Sequence, residues 1–248
     1  MTSNQFYVPR LDDGAERLSL EGDEHRHLAR SARVRKGETV RLFDGEGHRV
    51  LARIESVGRD RTVVAVLERE SPEEAGPALV LAQALVPAKK MEFILEKASE
   101  IGISAFVPIE TARSLRASAE RSDRKTERWA RIAREAAKQC KAVTVPAVHS
   151  PLRLRDWLGS PGEGRRIFLS ERGGTPLRDI LLDPGNPGGR PEPAAAVLAI
   201  GPTGGWTEGE ERELREAGFE AASLGRRILK SETAALAGVA MIVHFWGK

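Results

Sequence analysis

Two stretches near the C-terminus combine residue types and spacing that suit small-ligand chemistry. The first is Leu198-Ala199-Ile200-Gly201-Pro202-Thr203-Gly204-Gly205-Trp206, and the second is Leu224-Gly225-Arg226-Arg227-Ile228-Leu229-Lys230-Ser231-Glu232-Thr233-Ala234. In each, an apolar run that reads as a buried strand breaks into a loop containing glycine, and a helical pattern follows. Glycine has no Cβ, so the backbone of such a loop can come close to a ligand. Other chemistries find no motif. There is no Gly-x-x-x-x-Gly-Lys-Ser/Thr loop and no Gly-x-Ser-x-Gly elbow. Gly45-x-Gly47 precedes a strand and reads as a hairpin turn, not a dinucleotide fingerprint. His25 and His27 diverge by about 200° on a helix, too far for shared metal ligation. Glu92, Glu96 and Glu100 form a solvated acidic stripe with no His or Asp at ligand spacing, so no metal is expected. Ser231 precedes a helix, where capping is its default role.

The elements that must position these loops divide the chain in two. Residues 1–72 read as a small β-barrel. Glu38–Phe43 alternates polar and apolar residues up to the hairpin signal Asp44-Gly45, and His48–Ile54 and Arg61–Leu67 follow as strands. Asp23–Val34 has helical spacing, with Asp23 as the cap. Ser71-Pro72-Glu73-Glu74-Ala75-Gly76-Pro77 is the linker. Residues 73–248 then alternate strand and helix, the mark of an α/β domain with a parallel sheet. The strands are Ala78–Val86, Ser104–Ile109, Arg166–Ser170, Ala194–Ile200 and Phe219–Leu224. The helices are Lys90–Ile101 (ended by Gly102), the 124–141 region, Pro176–Leu182, Trp206–Ala217 (capped near Thr207) and Glu232–Phe245. Gly159–Gly164 and Asp183–Gly189 read as loops.

Charge placement is more informative than its total, which is +3. Residues 1–71 carry thirteen basic and thirteen acidic side chains, yet Arg26, Arg30, Arg33, Arg35 and Lys36 fall within eleven residues, and Arg10 sits in an exposed-looking turn. Residues 111–141 hold ten Lys or Arg against four Asp or Glu. There Arg124, Arg128, Arg131, Arg134, Lys138 and Lys141 share one helical face opposite Trp129, Ile132, Ala133 and Ala136. Such stripes suit phosphate contact. A GC-rich genome or a solvated helix face would also produce arginine clusters. The lone Cys140 excludes an internal disulfide and a multi-cysteine zinc site. No secretory signal or membrane-spanning run is present, which favours the cytosol.

Taken in order, the chain resembles the bacterial methyltransferases that modify N3 of one uridine in 16S ribosomal RNA, the RsmE group of the SPOUT (trefoil-knot) superfamily. The resemblance rests on Val8-Pro9-Arg10, His27-Leu28 with Arg33 and Arg35, Lys36-Gly37-Glu38 and Leu42-Phe43-Asp44-Gly45. It continues through Lys90-Met91-Glu92, Ile94–Gly102 and Arg128-Trp129 to Glu135–Gln139. Last come Ile200-Gly201-Pro202 with Gly204-Gly205, and Leu224-Gly225 with Arg227-Ile228-Leu229 and Glu232-Thr233-Ala234.

This resemblance implies a PUA-like RNA-binding barrel followed by a knotted SPOUT domain, a homodimer, S-adenosylmethionine as cofactor, and the small ribosomal subunit as substrate. No DNA or membrane partner is expected. The cofactor would lie among Leu169, Ile200, Gly201, Pro202, Gly204, Gly205, Leu224, Gly225, Ile228 and Leu229. Arg227 would stabilise the deprotonated uracil, and Glu232 would accept its proton or orient the arginine. RNA docking falls to Arg10, Arg30, Arg33, Arg35, Arg124, Arg128, Arg131 and Lys138. Two departures stand out: Thr203 replaces the glutamate of the family's usual Gly-Pro-Glu-Gly-Gly loop, and Arg226 stands where a small residue or proline is common. The alternatives are a related ribose 2′-O-methyltransferase and a non-catalytic ribosome-assembly binder.

Overall fold

Alternating apolar residues decide the N-terminal sheet. In the computed structural model, which describes residues 4–12, 14–32, 34–70, 78–116, 119–182 and 195–246, the chain forms two compact units. The side chains of residues 30, 31 and 119–122 are not among those described. The expected linker at 71–77, the expected loop at 183–189, Arg33 and the side chain of Arg30 therefore lie outside the described residues.

The first unit comprises residues 1–74 with 134–145. Its elements are β1 (Gln5–Tyr7), β2 (Arg17–Glu21), α1 (Gly22–Arg26), a π-turn (His27–Ser31), β3 (Thr39–Phe43), β4 (Arg49–Val57) and β5 (Arg61–Glu70). The sheet order is β1-β3-β4-β5-β2, with β1 parallel to β3 and the other pairs antiparallel. Inward residues meet directly across it: Val40 with Ala52, Leu42 with Val50, Ile54 with Val64. Together with Phe6, Leu20 and Leu28 they make a dry core. Register shifts at Leu51/Ala52 and Ile54/Ser56 bend the sheet. It remains a half-barrel, because β1 and β2 end the order unpaired with each other. The expected hairpin at Asp44-Gly45 forms with a longer turn, since Phe43 pairs with Arg49. Buried His25 bonds Thr62 Oγ1 (2.9 Å) and the Arg59 carbonyl (3.1 Å), a structural histidine.

The second unit comprises residues 75–133 with 146–248. It contains β6 (Ala78–Ala84), α2 (Ala88–Ile101), β7 (Ala105–Glu110), most of α3 (Ala119–Cys140), β8 (Ala147–Val148), β9 (Leu152–Arg153) and α4 (Leu154–Leu158). It continues with β10 (Arg165–Leu169), β11 (Thr175–Pro176), α5 (Leu177–Leu181), β12 (Ala195–Ile200), α6 (Glu208–Glu216), β13 (Glu220–Ser223) and α7 (Ser231–Trp246). The order is β11-β13-β10-β12-β6-β7-β8, with β9 also on β7, and every pair is parallel. Its central strands are largely apolar because helices cover both faces. Leu154, Trp157, Trp206, Leu214 and Phe219 pack against Val107, Phe168, Val197 and Ala199. Met91, Ile94, Leu95 and Ala98 of α2 are also buried, as are Ala235, Val239 and Ile242 of α7. Helix α7 sits so close to β12 that a Cβ on Gly238 would lie 2.9 Å from Leu198 Cδ2. Gly102 ends α2 in the left-handed region, at φ 119°.

Candidate functional site

Parallel strands all aim their carboxyl ends at one edge of a sheet, and a cleft forms where successive connections leave a strand in opposite directions. Here that strand is β10, flanked by β12 on one side and β13 on the other. Three loops therefore converge: residues 170–174 after β10, 201–207 after β12 and 224–230 after β13. They enclose a cavity of about 200 Å³.

Leu169, Ile200, Gly201, Pro202, Gly205, Leu224, Gly225, Ile228 and Leu229 all line it, as does Arg227. The structure thus gathers nine of the ten residues expected around a cofactor. Gly204 is the tenth. It turns outward, where its carbonyl accepts a 2.8 Å hydrogen bond from Arg113 Nη1.

The glycines have distinct reasons. Gly205 adopts φ +67°, and a Cβ there would fall 2.2 Å from Glu171 Oε1. Gly225 adopts φ +103° with open space around it, so backbone conformation alone calls for glycine. At Gly201 a Cβ would press on the Trp206 indole at 3.1 Å.

The loops are braced from below. Trp206 Nε1 donates to the Leu169 carbonyl (2.9 Å), joining the loops after β12 and β10. Gly205 N donates to the Pro202 carbonyl (2.9 Å), closing a turn. Ser231 Oγ donates to the Gly201 carbonyl (2.7 Å) and accepts from Gln83 Nε2 (3.0 Å). Ser231 was expected to cap α7; instead its buried hydroxyl ties the start of α7 to the glycine loop of β12. Thr207 does cap α6, in a reciprocal box with Glu210. Glu210 also accepts from Ala112 N at 2.6 Å, anchoring the helix that follows the glycine loop.

The two residues expected to act in catalysis part company. Arg227 is exposed at the cavity and has no hydrogen bond or ion pair among the described residues. Glu232 is outside the lining, and its carboxylate is held by Lys90 Nζ at 2.9 Å. Burial raises its pKa, but the hydrogen bond and charge of Lys90, its own backbone N–H and the charge of Lys230 outweigh this and leave it below the ordinary carboxylate value. It forms no hydrogen bond or ion pair with Arg227 among the described residues.

The basic residues also separate. Arg124 and Arg131 of α3 are exposed and carry no ion pair among the described residues. Arg128 is engaged bidentately by Glu92, at 2.7 and 2.9 Å. Lys138 is the clearest correction: it is buried and bonded to Glu24 (2.8 Å) and Glu135 (3.1 Å), so its charge serves packing within the first unit. Arg134 lies over the Tyr7 ring at 4.3 Å. Arg10 is exposed beside Asp12, and Arg35 is exposed.

Sequence reasoning missed the third loop. Ser170, Glu171 and Gly173 line the cavity. The signal was there, since Ser170-Glu171-Arg172-Gly173-Gly174 follows the apolar Ile167-Phe168-Leu169 in the same strand-then-glycine form as the other two.

Known proteins share this arrangement. A model described as an RNA methyltransferase domain matches residues 73–243, and one described as an RNA methyltransferase PUA domain matches residues 20–67. The ribosomal RNA small subunit methyltransferase E of Synechocystis sp. is 33% identical over 219 residues, covering 87% of this chain and 69% of that protein. Its counterpart from Bacillus subtilis is 28% identical over 232 residues, covering 93% and 91%. The crystal structure of the Neisseria gonorrhoeae ribosomal RNA small subunit methyltransferase E, bound to S-adenosyl methionine, superposes with a TM-score of 0.86 at 31% identity over 98% of each chain. The chain belongs to the RNA methyltransferase family, within the group of small-subunit ribosomal RNA methyltransferase E proteins.

Proposed function

We propose that this protein uses S-adenosylmethionine to methylate 16S ribosomal RNA of the small subunit, at N3 of a uridine. The observation that carries the reading is the cavity itself: three strand-end loops, each containing glycine, with an arginine on the lining that has no partner among the described residues. Its apolar members Leu169, Ile200, Leu224 and Leu229 suit an adenine face, and the exposed backbone at Gly225 leaves open space for polar ligand atoms.

S-adenosylmethionine supplies a methyl group already activated on a sulfonium. The chain's task is alignment and charge. Holding two reactants in line replaces a large entropic cost, so rigid loops matter more than a strong acid or base. The bonds of Ser231 and Trp206 fix the loop after β12. Uridine N3 is a protonated imide at neutral pH, and positive charge at O2 or O4 favours its anion. Arg227, which has no hydrogen bond or ion pair among the described residues, has donors for that role. Glu232, bound to Lys90, is assigned to anchoring α7 and not to proton transfer. Because N3 lies on the pairing edge, the target base must be unpaired or flipped out.

RNA docking is assigned to Arg10 and Arg35 in the first unit and to Arg124 and Arg131 of α3, together with Arg30 and Arg33 from the sequence. The same reading includes a knotted C-terminal domain and a homodimer, which rest on the family resemblance, and a cytoplasmic location and a division near residue 72, which rest on composition. The deciding assay incubates the protein with labelled S-adenosylmethionine and small subunits lacking the modification, then digests the RNA to nucleosides. Labelled N3-methyluridine is expected. A labelled 2′-O-methylnucleoside would replace the proposed target atom. Tight binding without label would make the protein an assembly binder.

A further inference from the structure

Among the side chains that line the cavity, Glu171 supplies the one carboxylate, while Arg226 and Arg227 supply positive charge. The surroundings of Glu171 set it apart from an ordinary surface glutamate. Its two neighbours in sequence are both tied to helix α6. Ser170 Oγ donates to Glu211 Oε1 at 2.7 Å, and Arg172 pairs with Glu208 at 3.1 Å while also reaching the Trp206 carbonyl. Glu171 is left between them with no hydrogen bond or ion pair among the described residues. Arg172, the nearest cation in sequence, is turned away from it.

The carboxylate lies flat against Gly205. A Cβ added to that glycine would meet Oε1 at 2.2 Å and Cδ at 2.8 Å. Gly205 thus makes room for Glu171 as well as permitting the φ of the turn. Two loops, after β10 and after β12, together present one unpaired negative charge to the cavity. Glu171 is exposed at the cavity, and a charge there with no partner among the described residues is available to a cationic ligand group, whose binding removes part of the surrounding water and strengthens the attraction.

The geometry points to Glu171 as the residue that binds the positively charged methionine end of the methyl donor. This rests on the proposed use of S-adenosylmethionine. The donor carries an α-ammonium and a sulfonium, both cationic, whereas its adenosine portion is neutral. A carboxylate on the loop after β10 and arginines on the loop after β13 give the cavity charges of both signs. The donor's amino-acid end likewise carries both.

The test compares full-length wild type with Glu171→Gln and Glu171→Asp by calorimetry, using S-adenosylmethionine, S-adenosylhomocysteine and 5′-methylthioadenosine. The last lacks the amino acid and the sulfonium but keeps the adenine and both ribose hydroxyls. Glu171→Gln is expected to weaken S-adenosylmethionine binding tenfold or more and to leave 5′-methylthioadenosine within twofold of wild type. That retained binding also verifies that the pocket is folded. Glu171→Asp, which keeps the charge, is expected to recover part of the loss. Loss for S-adenosylhomocysteine as well assigns the contact to the ammonium; its retention assigns it to the sulfonium. Equal weakening of all three ligands would mean a ribose contact and overturn the inference. So would no weakening of any. Failure of wild type itself to bind S-adenosylmethionine would overturn the proposed function together with this inference, whereas wild-type binding with an unaffected Glu171→Gln variant would remove only Glu171.

Discussion

Arg227 is a side chain left without a partner among the described residues. It sits on the loop after β13, exposed and on the cavity lining. A residue that only stabilised the protein would be expected to have contacts. Arg227→Ala is therefore expected to leave the melting temperature within about 1 °C, since surface changes away from such contacts usually stay within about 0.5 kcal/mol. It is expected to keep S-adenosylmethionine affinity and to lower the methylation rate by a hundredfold or more, in line with removing one preorganised charge donor. Full turnover in single-turnover assays would remove Arg227 from the chemistry. Gly205 makes the complementary case. An alanine there takes on a left-handed backbone costing about 1–2 kcal/mol and drives its Cβ into the Glu171 carboxylate. Gly205→Ala is expected to weaken S-adenosylmethionine at least tenfold, measured by calorimetry, with far-ultraviolet circular dichroism unchanged.

At the scale of elements, helix α7 is tied at its first turn to two others. Ser231 bonds the loop after β12, and Glu232 bonds Lys90 in the first turn of α2. The folded-state pKa of Glu232 lies below its ordinary value of 4.5. A depressed carboxylate contributes stability above its unfolded pKa and loses it as pH falls through the folded value. Glu232→Gln is thus expected to destabilise the protein by about 1 kcal/mol at pH 7, a modest figure because Lys90 is partly solvated. The difference from wild type should shrink in chemical-denaturation curves taken below about pH 4.5. A constant difference down to pH 3 would exclude the Lys90 pair as its source. Ser231→Ala leaves the buried amide of Gln83 short of an acceptor, and a loss of about 1–3 kcal/mol is expected. These ties also mark what the sequence revealed. Strands β6 and β12 were legible because a strand covered on both faces reads as a nearly continuous apolar run. The capping box of α6 was legible from Thr207. The ties of Ser231 and Glu232 were not, because each joins residues more than a hundred positions apart or depends on how α7 sits against β12 and α2. Strand β2 was missed as well: only Leu20 of its five residues is buried, which leaves too little alternation to detect.

For the whole molecule the open question is which arginines reach the RNA. The stripe along α3 looked uniform in sequence, and the fold divides it. Arg128 has Glu92, Arg134 has Tyr7 and Lys138 has Glu24, while Arg124 and Arg131 remain exposed and unpaired among the described residues. Helical spacing reveals which residues share a face, but not which acidic or aromatic groups other segments bring to that face. A phosphate contact releases condensed counterions, so binding falls as salt rises, with a slope set by the number of contacts. Replacing a cation that touches phosphate reduces that slope by about one unit and weakens binding regardless of sequence. Arg124→Ala with Arg131→Ala is therefore expected to flatten the salt dependence of small-subunit binding by about two units, read from filter-binding series between 50 and 300 mM salt. Arg128→Ala and Lys138→Ala are expected to leave the slope unchanged, and Lys138→Ala to lower the melting temperature, because each removes an internal ion pair. If instead the Arg128 variant flattens the slope as much as the double variant, Glu92 must release its arginine on binding, and the whole face would act as the sequence first suggested.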